Sequence, residues 1–89
     1  MRITYDPAAN AVYVQVAMPT ADGGQPEVTE QGVIVDLDAA GNARGFEFLS
    51  VRERGLPLDG LPSAVVAALE AFIASGALAA VDPIERDYP

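Results

Sequence analysis

Eighty-nine residues give room for one hydrophobic core and not two, and a chain this short that is 51% hydrophobic, with mean hydropathy +0.22, has apolar surface to hide against a second copy. With no cysteine and no histidine, disulfides, thiolate metal sites and every Ser-His or Cys-His nucleophile arrangement are excluded. Thirteen acids against five bases, all arginine, set the net charge at −8, which opposes binding to nucleic-acid phosphates.

Ile3 and Tyr5 alternate with polar neighbours, and Val12, Val14 and Val16 do so again, so two strands are predicted. Asp6-Pro7-Ala8-Ala9-Asn10 lies between them and has turn chemistry: Asp accepts backbone N–H groups, Pro presets φ and Asn tolerates the left-handed region. A loop of Pro7 to Asn10 sets Tyr5 opposite Val12 and Ile3 opposite Val14, which collects the aliphatic residues on one side. The stretch from Met18 to Glu27, with two prolines and two glycines, reads as a mobile connection.

A second hairpin begins near Val28, is clear from Val33 to Asp38, turns at Ala39-Ala40-Gly41-Asn42 and returns through Ala43 to Leu49. A three-residue loop sets Asp36 opposite Arg44, and a four-residue loop sets Val35 opposite Phe46. A bulge at Gly45 reconciles the two. Leu61 to Ser75 has helical periodicity, with Pro62 in the first turn, Gly76 as the stop, and Val65, Leu69, Phe72 and Ile73 on one stripe. Glu70 is the one charge inside that helix, so its second face is expected to be covered as well. The expected fold is α+β: a four-stranded antiparallel sheet of two hairpins with one C-terminal helix packed on it. Residues 1–81 form a single domain and 82–89 a C-terminal tail. Phe46, Phe48, Val14 and Leu69 are expected in the core. Met1-Arg2-Ile3-Thr4 enters a strand pattern at once, and the longest apolar stretch, Ala64 to Ala74, is far below a membrane span, so a cytoplasmic protein is expected.

The run Tyr5-Asp6-Pro7-Ala8-Ala9-Asn10-Ala11-Val12-Tyr13-Val14, then Gly32-Val33-Ile34-Val35-Asp36-Leu37-Asp38, Gly41 and Gly45-Phe46-Glu47-Phe48-Leu49, resembles the bacterial family known as domain of unknown function 2283. The likeness covers roughly Met1 to Val51. It departs from the family pattern at Asn10, where an acid is common, and at the phenylalanines, where isoleucines are. The resemblance implies a small prokaryotic sheet protein without established activity, some of whose relatives are suspected of belonging to toxin–antitoxin-like pairs. It supplies no catalytic residues.

Among single side chains, Asp6, Asp36 and Asp38 are the candidate ligands for a hard cation such as Mg²⁺. Their plainer role is turn capping and solvated strand ends. Arg44, Arg52 and Arg54 concentrate three of the five bases and suit either an anion or the offset of local acids such as Glu47 and Glu53. Tyr5 reads as core, and Tyr13 as an outer-face cross-strand residue or an interface residue. Gly23-Gly24 lacks the strand-to-helix context of a phosphate cradle. The expectation is a non-catalytic protein-interaction module without a cofactor, with a basic protein partner in the manner of an antitoxin. Nucleic acid and membrane are not expected partners, and a homodimer is. The alternatives are a metal-dependent enzyme or cation-binding protein using Asp6, Asp36 and Asp38, and a structural homodimer without ligand.

Overall fold

A computed structural model describes residues 1–18 and 23–89, so part of the connection expected between Met18 and Glu27 lies outside the described residues. The predicted first hairpin is β1 (Arg2–Asp6) and β2 (Ala11–Gln15). Its register is the one the aliphatic parity requires, with Ile3 opposite Val14, Tyr5 opposite Val12 and Asp6 opposite Ala11. In the second hairpin, β4 (Ile34–Leu37) and β5 (Ala43–Leu49) use both candidate registers. Val35 faces Phe46 and Asp36 faces Gly45, then Leu37 faces Ala43, leaving Arg44 as the extra residue beside Gly45. That bulge lets a buried phenylalanine pattern continue on one side while the loop closes with Gly41 at φ 87°.

Among the described residues the sheet has six strands, not four: with β3 (Glu27–Val28) and β6 (Ile84–Asp87) added, the order is β3-β4-β5-β2-β1-β6. The two hairpins join through β2 and β5, with Val14 opposite Phe46 and Tyr13 opposite Glu47. The two further strands are β3 (Glu27–Val28), a two-residue edge on β4, and β6 (Ile84–Asp87), which pairs antiparallel with β1. Residues 82–89 are therefore not a free tail. Tyr88 N–H donates to the Met1 carbonyl at 2.7 Å, and the Tyr88 ring meets Phe72 edge-on at 6.5 Å. Tertiary pairing overrode the local signal, since Pro83 and the charged run Glu85-Arg86-Asp87 read as exposed chain. Charges and an adjacent proline also discourage further pairing at an edge.

Helices are not confined to the C-terminal end. A four-residue helix, α1 (Val51–Arg54), follows β5, entered through Ser50 at φ 55° and stopped by Gly55 at φ 69°. The longer helix α2 (Ser63–Ala74) starts after Pro62 and ends at Gly76, φ 80°. It buries Val65, Ala68, Leu69 and Phe72 against one face of the sheet, where Ile3, Tyr5, Val12, Val14, Phe46 and Phe48 complete the core. Ile73, expected on the same stripe, is 40% exposed, because the buried arc of α2 is narrower than the predicted one.

Asn10 ties the first turn to α1. At φ 56° it occupies the left-handed region that Asn tolerates better than other side chains. Its Oδ1 accepts from Arg52 N–H at 2.9 Å, and its Nδ2 donates to Glu53 Oε2 at 2.7 Å. An acid at this position would instead meet the Glu53 carboxylate. Asn10→Ala removes these bonds and leaves a β-carbon in a disfavoured conformation, so a loss of about 1–3 kcal/mol is expected in urea unfolding. Asn10→Gly keeps the backbone freedom and should cost less.

Candidate interaction surface

The three aspartates singled out as cation ligands do not meet. Asp6 and Asp36 share a face of the sheet but stand far apart on it, separated by three strand spacings, about 14 Å, and by four residues, about 13 Å, along the strands. Each already has an ordinary partner. Asp6 Oδ1 accepts from Ala8 N–H at 3.0 Å and Ala9 N–H at 3.3 Å, capping the first turn. Asp38 accepts Ala40 N–H at 2.9 Å and Asn42 N–H at 2.8 Å, and stands 3.5 Å from Arg44. The Asn42 backbone bond holds the Asp38 carboxyl below its usual pKa, with the amides of Asn42 and Ala40 and the charge of Arg44 acting in the same direction. Among the described residues no group of three or more His, Cys, Asp or Glu side chains is gathered to hold a metal ion.

The arginines are equally dispersed. Arg44 donates to the Met18 carbonyl and pairs with Asp38, Arg52 donates to the Pro7 carbonyl at 2.9 Å, and Arg54 donates to the Gln31 carbonyl at 2.9 Å. Each braces a different turn, and together they make no anion site. Tyr5 is core, as its strand parity requires. Gly23 bridges to Asp38, and Gly24 N–H donates to Leu37 at 2.8 Å, so this pair pins the connection to the edge of β4.

What the fold does assemble is the sheet face opposite α2. Directly paired residues share a face, so the register places Glu85, Thr4, Tyr13, Glu47, Ile34 and Val28 in one row across the strands. The next row holds Asp87, Arg2, Gln15, Gly45 and Asp36, and Asp6 and Leu49 lie beyond the first. Among the described residues, five carboxylates in this register (Asp6, Asp36, Glu47, Glu85 and Asp87) thus stand on this face with one guanidinium, Arg2, itself 3.0 Å from Asp87, while the bulge residue Arg44 borders it beside Tyr13 and Asp36, 3.5 Å from Asp38. Among the described residues no helix packs on it.

Tyr13 occupies the middle of that face. It lies diagonally across Gly45, where a β-carbon would come within 2.4 Å of the ring Cζ, and its hydroxyl donates to Asp36 Oδ2 at 2.8 Å. The bare glycine thus accepts an aromatic ring as its cover, and three strands are clamped by one side chain. Burial, then the hydrogen bond to Asp36 and the charges of Asp36 and Glu47, push the Tyr13 phenol up to about 12. An unfolded tyrosine ionises near pH 10, so the stabilisation this phenol contributes is complete below about pH 10 and is lost as pH rises toward 12. Spectrophotometric titration should show a phenolate step near 12 in the folded protein, and Tyr13→Phe should remove that step. Sequence reading found Tyr13 and Asp36 but missed Gly45 and Glu47 as their companions. The signal was present in the Val35–Phe46 register, which puts Glu47 on the outer face.

The model of the family described as "Protein of unknown function (DUF2283)" matches residues 2–52, the span that contains β1 to β5 and the start of α1. Neither the curated proteins nor the solved structures contain a match to this chain.

Proposed function

Because the chain belongs to the DUF2283 family, whose activity is unknown, we propose its role from its own surface: a non-catalytic interaction module that docks a basic protein partner on the outer face of its sheet. The observation that supports this reading is the excess of carboxylates over guanidinium groups on a face that α2 leaves bare, five acids in register with Arg2 alone and Arg44 at the border paired to Asp38. Such a field attracts a positive surface and speeds its encounter. It opposes a second copy on the same face, where five carboxylates would meet five. The commitments of Asp6, Asp36 and Asp38 to turn caps and to Tyr13 also favour binding over acid–base or metal chemistry. An antitoxin-like role for the acidic partner of a basic toxin is one form of this reading.

Affinity capture with the tagged protein, followed by a salt series, tests it. The expected result is recovery of a basic protein whose retention falls steeply between about 50 and 500 mM salt, as screening shortens the electrostatic range. Retention indifferent to salt, or capture of acidic proteins only, would contradict the proposal.

A further inference from the structure

The outer face offers more than charge, and the following rests on the reading just given. Tyr13 is held against the sheet at two points, by its ring over Gly45 and by its hydroxyl on Asp36. A ring fixed in this way loses little freedom when something stacks on it, which is what a binding anchor requires. Its neighbour directly opposite on β5 is Glu47, and its neighbour on β1 is Thr4. All three are partly exposed. Glu47 is close enough to raise the Tyr13 phenol by its charge, and no base stands beside it in that row.

We propose that this Tyr13 platform is the anchor of the docking face, and that its occupant is an arginine side chain of the basic partner, stacked on the Tyr13 ring with its guanidinium accepted by Glu47. Arginine fits better than lysine for two reasons. Its planar cation stacks on an aromatic face while its edge donates in a fork to a carboxylate. Lysine delivers a compact charge that can satisfy Glu47 but gains little from the ring. Arginine and tyrosine are also the residue types in which interface energy concentrates.

The test titrates full-length, isotopically labelled protein with two probes, a hexapeptide of arginines and one of lysines, followed by NMR at low salt. Expected are shift changes centred on Tyr13, Glu47 and Thr4, with the arginine peptide binding about 3–10-fold more tightly. Tyr13→Phe, which retains the ring, should keep that preference. Tyr13→Ala should abolish it, leaving the two peptides equal, and its folded spectrum verifies that the sheet survives. Equal binding of both peptides to the unmodified protein, or a preference that Tyr13→Ala leaves intact, would overturn the anchor while leaving the acidic docking face standing. Failure of both peptides to bind would overturn the anchor and the docking face together.

Discussion

Phe72→Ala is expected to destabilise the protein by about 3–5 kcal/mol, the usual cost of emptying a buried phenylalanine site. Phe72 is fully buried on α2 within the core, and its ring packs nearly perpendicular to that of Tyr88. Its loss opens a cavity at the junction of helix, sheet and the segment after β6, three elements that cannot all relax into the space at once. Since a domain of this size holds only about 5–15 kcal/mol in total, the variant should melt early or fail to fold. Urea unfolding followed by circular dichroism measures it. By contrast, Ile73→Ala, one residue along and 40% exposed, should move the midpoint far less. Similar losses for the two variants would mean that the buried arc of α2 is wrongly placed.

Removing residues 83–89 is expected to cost about 2–4 kcal/mol from the partial burial of Ile84 and Tyr88. Both side chains pack against the core, and β6 also satisfies the outer edge of β1 through four paired residues. Without it β1 becomes an edge strand, and Ile3 and Tyr5 lose part of their cover. A free tail would come off without consequence. Thermal melts of the shortened and full chains distinguish the two cases, and equal melting temperatures would contradict the sixth strand.

Much of the architecture was legible because its signals are local. Parity alone fixed the β1–β2 register, since only one pairing put Ile3, Tyr5, Val12 and Val14 on the same side. The 3.6-residue spacing of Val65, Leu69 and Phe72 placed α2 to within two residues at either end. The second hairpin was ambiguous in sequence because the chain uses both registers, joined by the bulge at Arg44. What escaped was non-local. β6 is a strand only because β1 offers it a partner, and a segment of alternating charge after a proline carries no intrinsic strand signal. α1 is a single turn, held in place by Asn10 rather than by its own propensity. The outer face suffered from both gaps. Tyr13, Gly45 and Asp36 belong to three strands, and two of the five acids lie on the unpredicted β6.

If a basic partner is recognised by the outer sheet face rather than by net charge, two variants of equal charge should separate the two. In one, Glu47 and Glu85 of the outer face become lysine. In the other, the exposed Asp59, before α2, and Glu70, on α2, become lysine. Isothermal titration with an oligo-arginine peptide at low salt is the measurement. The outer-face variant should bind at least tenfold more weakly, about 1.4 kcal/mol, and with a shallower salt dependence, whereas its counterpart should lose only about two- to threefold. Equal losses in the two variants would contradict the claim, because the peptide would then be answering to total charge and to no particular surface.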